Sequence, residues 1–259
     1  MTRETDSATT KSTAGRLLEV LSAFRDGYRD LGVSELGNRL GLDKAVVHRL
    51  LQSLAEYRFI ERDPNTRRYR VGVRAWEVGQ RYAGGTRLED KVVPLLTPLV
   101  ESSGGTGYVA TLDGADVVYL ALINGPGPLR VHVDVGSRAP AHSGAVGKAM
   151  LAMLPDQDLR ARLRNVDLPA VTSQTITSLD ELLRDLERVR STGYALNHGE
   201  YIEGVGSVGA AIVDSDSFPV AGISVAFPML PAFEGLFDTL PPEVMRVARR
   251  VSRVLSTTR

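Results

Sequence analysis

The sequence predicts an α+β protein in two parts, a mostly helical front of roughly 80 residues and a body of roughly 170 in which strands and helices are grouped. Three observations predict it. At 259 residues with 43% hydrophobic content, the chain is long enough to bury two cores. Apolar residues recur at helical spacing through the front, then fall into short runs bounded by Gly, Pro and Asp. The formal net charge of zero conceals an asymmetry, because residues 1–85 carry 15 Lys and Arg against 11 Asp and Glu, and the remainder carries 16 against 20.

After a polar tail at residues 1–10, expected to be disordered, Leu17, Leu18, Val20, Leu21 and Phe24 mark a first helix from Thr13 to Phe24. Asp26 to Gly32 interrupts it. Ser34 to Leu40 is short, with Leu36 and Leu40 four apart; Gly41 then supplies a sharp turn, and Asp43, a good N-cap, opens a third helix to about Tyr57. Short helix, glycine turn, longer helix is the helix-turn-helix pattern. In the third helix Val46, Val47, Leu50, Leu51 and Leu54 share one face, and Lys44, Ala45, His48, Arg49 and Gln52 share the other. Small, polar and basic side chains near a helix N-terminus suit the base edges of a DNA major groove.

Phe59 to Arg62 and Arg68 to Val71 are expected as two short strands around the turn formers Asp63-Pro64-Asn65-Thr66, a wing with Arg67 and Arg68 near its tip. Residues 39–70 hold eight Arg and Lys against four acids, a surplus that fits phosphate neutralisation and equally an ordinary solvated face. The expected DNA-contacting set is Ser34, Lys44, Ala45, His48, Arg49, Gln52, Arg67 and Arg68. The winged helix-turn-helix would occupy residues 11–71 and a connecting helix residues 72–85, ended by Gly84-Gly85. Ala75, Val78, Gly79 and Tyr82 form an apolar stripe on that helix, covered either by a second subunit or by its own domain.

Residues 86–259 form the body. Helices are expected to about Ser102, from Ser143 to Leu154, Asp156 to Arg164, Asp180 to Ser191, and about Pro241 to Leu255. Strands are expected at Thr106 to Leu112, Asp116 to Ile123, Leu129 to Val133, Tyr194 to Leu196, Ser207 to Val213 and Val220 to Phe227. This grouping implies a mixed or antiparallel sheet with helices packed on it. Ser143-Gly144-Ala145-Val146-Gly147 opens a helix with small residues; that leaves its first N–H groups accessible to a carboxylate, or simply lets the helix lie close to the sheet.

Composition removes several classes of function. No cysteine is present, which excludes disulfides, thiolate metal sites and cysteine nucleophiles. Four scattered histidines, His48, His132, His142 and His198, make no metal centre, and no cofactor is expected. Without a long apolar run or leader, a cytoplasmic protein that does not enter a membrane is expected. Gly204-Val205-Gly206-Ser207-Val208-Gly209 has the spacing of a dinucleotide fingerprint, but a strand rather than a helix is expected after it. Gly144 to Lys148 lacks the spacer and the Ser or Thr of a phosphate loop. The rival from another class is a hydrolase using His142 with Ser143 or Ser207, although no nucleophile-elbow motif marks either serine.

Four stretches in order, Gly41 to Leu51, Tyr69-Arg70-Val71-Gly72, Pro140 to Ala149, and Gly193-Tyr194 followed by Glu200 to Gly204, resemble the IclR family of bacterial transcription regulators from about Thr13 onward. The resemblance implies a GAF-like effector-binding domain, a connecting helix used in dimerisation, and dimers or tetramers on palindromic operators, acting as a repressor rather than an activator. It also implies an effector pocket of Val131, Ala139, Ala145, Val146, Asn197, Ser207 and Ser224. The family's glyoxylate- and pyruvate-responsive pattern has an acid where Asn197 stands, a thiol where Ser207 stands and a hydroxyl where Ala226 stands, so that ligand does not carry over. A small organic acid is expected instead, with no catalytic residue and no metal.

Overall fold

The computed structural model describes residues 12–25, 30–80, 82, 88–127 and 131–257. The expected tail at residues 1–10, most of the Asp26 to Gly32 break and the Gly84-Gly85 terminator lie outside them. The chain divides into two compact units, residues 1–87 and 88–259.

In the first unit α1 (Thr13–Ser22) is capped by the Ser12 hydroxyl and tightens into a 3-10 turn at Ala23–Arg25. Leu18, counted in its apolar face, is exposed, because Val20, Ala23 and Phe24 supply the contact with the core. The turn between α2 (Val33–Leu40) and α3 (Lys44–Glu56) depends on Gly41 at φ +63°, which a side chain would strain, and on Asp43, whose Oδ1 accepts from Ala45 N at 2.7 Å. Val47, Leu50, Leu51 and Leu54 are buried against Val20, Leu31 and Leu36, so the apolar stripe holds α3 in place and turns its opposite face outward. Strands β1 (Ile60–Arg62) and β2 (Tyr69–Val71) pair antiparallel. The backbone amides of Asn65 and Thr66 donate to Asp63 Oδ1 and close the turn between them.

The following helix α4 (Val73–Gly79) is shorter than the expected span from Gly72. Gly72 belongs to the strand side, where a Cβ would lie 2.4 Å from the Arg58 carbonyl oxygen.

The second unit holds one six-stranded antiparallel sheet, order β5-β4-β3-β8-β7-β6, made of β3 (Thr106–Asp113), β4 (Asp116–Asn124), β5 (Arg138–Pro140), β6 (Ala195–His198), β7 (Val205–Val213) and β8 (Pro219–Pro228). Side chains alternate across it. Ala221, Ile223, Val225 and Phe227 of β8 meet α5 (Leu88–Ser103) and α9 (Leu236–Ser256), while Ser224 and Ala226 face the side of α6 (Ala145–Met153). Helices α7 (Asp156–Leu163) and α8 (Leu179–Thr192) contribute Leu159, Leu163, Leu182, Leu186 and Val189 to the core that α6 shares. Two glycines of the dinucleotide-like stretch serve packing: at Gly206 a Cβ would stand 2.5 Å from the Phe237 ring, and at Gly209 it would stand 2.7 Å from the Ala145 backbone, so only glycine lets α6 lie this close.

Three expectations for this unit are corrected. Residues 131–133 form no strand, because the Val131 backbone is engaged by side chains: its N–H donates to Thr106 Oγ1 and its carbonyl accepts from the Tyr108 hydroxyl. The edge strand is β5 instead, which alternation did not reveal. Helix α6 begins at Ala145 rather than Ser143, whose hydroxyl donates to the Pro140 carbonyl within a 3-10 turn. Helix α9 starts at Leu236, five residues before Pro241, because the Thr239 amide reaches back to the Gly235 carbonyl and adds a turn.

Candidate nucleic-acid interface and effector cavity

The outward face of α3 carries Lys44, Ala45, His48, Arg49 and Gln52, all exposed, and Ser34 is exposed near the start of α2. Among the described residues, the side chains of Lys44, His48, Arg49 and Gln52 make no ion pair or hydrogen bond, so the face presents polar groups uncommitted within the protein. The wing arginines differ from one another. Arg67, exposed at φ +58°, has no ion-pair partner among the described residues. Arg68 is committed inward: Nε meets Asp30 Oδ1 at 2.5 Å and Nη2 meets Glu35 Oε2 at 2.8 Å, and these hydrogen bonds hold its guanidinium above its ordinary value. It ties β2 to the entry of α2, a fixed position at odds with the expected reach to phosphate. Arg70 pairs across the hairpin with Glu61 at 3.1 Å.

Between α6 and the sheet lies a cavity of about 30 Å³ lined by Tyr108, Tyr119, Val131, Val133, Gly144, Ala145, Val146, Asn197, Tyr201, Ile202, Val205, Ser207, Ser224 and Ala226. It brings together Val131, Ala145, Val146, Asn197, Ser207 and Ser224 from the expected set. Ala139 is the exception, since on β5 it pairs with Val117 of β4 and packs in the core without lining the cavity.

Sequence reasoning missed the tyrosines. Tyr108 and Tyr119 sit edge to face at 5.3 Å, and a bulge between Val109 and Ala110 sets their register, a feature without a sequence signal. Burial pushes the phenols of Tyr108, Tyr119 and Tyr201 up, so they face the cavity as neutral groups. Among the described residues, no carboxylate, ammonium, guanidinium or imidazole lines it.

The polar groups of the cavity are unevenly used. Asn197 Nδ2 donates to Ser207 Oγ at 3.3 Å, and Asn197 Oδ1 accepts from the Glu200 amide at 2.7 Å. Ser224 is 4% exposed, and its hydroxyl has no hydrogen-bond partner among the described residues. The N-cap of α6, Gly144, offers no side-chain cap, and Gly144, Ala145 and Val146 of this helix start line the same space.

Beneath the cavity Lys148, 2% exposed, is held by both Glu200 oxygens at 2.6 and 2.8 Å and by Asp185 Oδ2 at 3.1 Å. Burial alone would raise Asp185, but Lys148 and Arg188 outweigh it and keep the carboxyl below its usual range. Lys148 is thus a structural cation rather than a phosphate ligand.

The residues of the hydrolase reading do not converge. His142 Nε2 faces the Pro169 carbonyl at 3.2 Å, Ser143 donates to Pro140, and Ser207 is bonded to Asn197.

A helix-turn-helix with a basic outer face, together with a larger α+β unit holding a small, mainly apolar cavity with a few polar groups, defines the class: a DNA-binding transcription regulator. Residues 13–64 match the IclR helix-turn-helix domain and residues 80–253 match the IclR C-terminal domain of bacterial transcriptional regulators. The chain belongs to the IclR family. The HTH-type transcriptional regulator BhcR of Paracoccus denitrificans is 32% identical over 222 residues, 86% of this chain and 80% of that one. An IclR transcriptional regulator from Alicyclobacillus acidocaldarius superposes with a TM-score of 0.79 at 25% identity, over 95% of this chain and 97% of its own. An IclR homologue of Microbacterium hydrocarbonoxydans, complexed with 4-hydroxybenzoate, shares the fold at a TM-score of 0.79 and 23% identity, over 95% and 98% of the two chains. Among the described residues, no helix is long and apolar enough to cross a membrane.

Proposed function

We propose that this regulator binds a palindromic operator as a homo-oligomer, acts as a repressor, and releases or tightens its grip when a small organic monocarboxylate enters the cavity under α6. One observation carries the ligand class: the α6 N-terminus, without a side-chain cap, and the Ser224 hydroxyl border the same space, and no basic side chain lines that space among the described residues. Oriented amides and neutral hydroxyls stabilise one negative charge, whereas a dianion would remain underneutralised. Asn197 repels neither charge and both donates and accepts. The tyrosine rings favour an aromatic or small apolar body next to the carboxylate.

Calorimetry with a panel of monocarboxylic acids, 4-hydroxybenzoate included, and with their amides tests the class. Ser224→Val is expected to weaken the best acid about tenfold or more, by removing a donor to an anion, while leaving operator affinity in the absence of acid unchanged. Wild-type affinity in that variant, or preference for the amides, would count against the reading.

The oligomer follows from the operator, because a two-fold symmetric site needs two recognition helices. Helix α4 offers the seam: Trp76 and Val78 are 59% and 57% exposed, and Tyr82 beyond its end is 67% exposed. Val78→Asp should shift the protein toward monomer in sedimentation at micromolar concentration and weaken operator binding in parallel. A wild-type monomer under those conditions contradicts the proposal.

A further inference from the structure

The cavity is too small for the acid proposed to occupy it. About 30 Å³ holds a water or two, so one wall has to move. Most of the lining is buried; the half-buried members are Val133, Gly144, Tyr201, Ile202 and Val205. Three of these five lie on or directly after the connection from β6 to β7. That connection, Gly199 to Gly204, begins and ends in the left-handed region, at φ +83° and +72°, where side-chain-bearing residues are strained.

The bonds that hold the connection down converge on its first two residues. The Glu200 carboxylate takes both hydrogen bonds from Lys148, its amide donates to Asn197 Oδ1, and its carbonyl accepts from Thr175 Oγ1 at 2.6 Å. Next to it the Gly199 carbonyl accepts from Thr172 Oγ1 at 2.7 Å. At the far end the Met229 amide donates to the Gly204 carbonyl at 2.8 Å. Between these anchors lie Tyr201, Ile202 and Glu203, the span that roofs the cavity. Among the described residues, its only hydrogen bond is the one from the Val205 amide to the Ile202 carbonyl.

We infer that residues 199–204 are the door of the cavity and that the Glu200–Lys148 ion pair is its latch. The inference rests on the cavity's being the effector site and adds how that site is entered. Lys148 stands on α6, whose first turn lines the cavity, and Asn197 has one amide atom on Ser207 and the other on the Glu200 backbone. An occupant that recruits Asn197 or Ser207 therefore competes with the bonds that fasten the door, which couples occupancy to its opening.

The chain has no cysteine, so a single introduced thiol reports opening. Ser224→Cys places it on the cavity wall, and Ile223→Cys places it one residue away, fully buried on the opposite face of β8, where only unfolding of the unit exposes it. Alkylation by iodoacetamide under native conditions is followed by mass spectrometry, with and without Glu200→Gln. This substitution leaves Lys148 its partner Asp185. The expected result is alkylation at position 224 about tenfold faster with Glu200→Gln, and a rate at position 223 that stays the same. Thr175→Val, which removes the bond to the Glu200 carbonyl, is expected to act in the same direction and serves if Glu200→Gln does not fold. Equal acceleration at both positions, or acceleration at neither, overturns the door. Selective acceleration in a protein that binds no carboxylate supports the door and refutes the effector class, so the two failures are distinct.

Discussion

Lys148→Met is expected to destabilise the second unit by about 3–5 kcal/mol at pH 7, the usual consequence of removing one partner from a buried ion cluster. Methionine keeps the length and apolar stem of the side chain, so packing changes little and the loss reports charge. Glu200 and Asp185, with side chains 10% and 17% exposed, would keep their carboxylates with too little water to replace the ammonium. The sign of the pH dependence separates charge from packing. In the wild type the Asp185 carboxyl is held below its ordinary value, so its contribution is complete above the unfolded value near 3.8 and fades as pH falls through the lower folded value. In the variant, protons supply the neutralisation that lysine no longer gives. The deficit between the two proteins should therefore shrink from pH 7 to pH 4 in urea unfolding followed by circular dichroism. A deficit that stays constant over this range would assign Lys148 to packing alone.

Arg49→Ala is expected to cost about 1–3 kcal/mol of operator affinity, roughly 5- to 150-fold, and to relax preference at one base pair of each half-site. Arg49 is exposed on the outward face of α3 with no protein partner among the described residues, so its loss leaves the fold of the first unit intact. Arg67→Ala at the wing should instead weaken all sequences alike and reduce the slope of log affinity against log salt by about one. Arg68→Ala provides the internal contrast: its ion pairs with Asp30 and Glu35 assign it to holding the wing against α2, so it should lower the unfolding temperature more than the salt slope. Fluorescence anisotropy across a salt series, on the operator and on scrambled duplex, separates the three. Equal operator binding by Arg49→Ala and wild type at moderate salt would remove Arg49 from the recognition surface.

The sequence by itself determined what local periodicity and backbone chemistry can encode. The apolar stripe Val47, Leu50, Leu51 and Leu54, the turn at Gly41 and the cap at Asp43 specify α3 and its outward face before any tertiary contact is known, because helix geometry alone sorts side chains by face. Six members of the cavity were legible only through family resemblance, since neither Ser207 nor Ser224 has a spacing that distinguishes a pocket wall from close packing. Tertiary structure decided the rest through contacts far apart in the chain. Arg68 looks like a wing-tip cation until Asp30 and Glu35, more than thirty residues earlier, claim it. Val131 to Val133 has the alternation of a strand, but Thr106 and Tyr108 take its backbone bonds. Lys148 belongs to a false phosphate loop in sequence and to a buried ion cluster in space, because Glu200 lies 52 residues away and only the packing of α6 against the β6–β7 connection brings the two charges together.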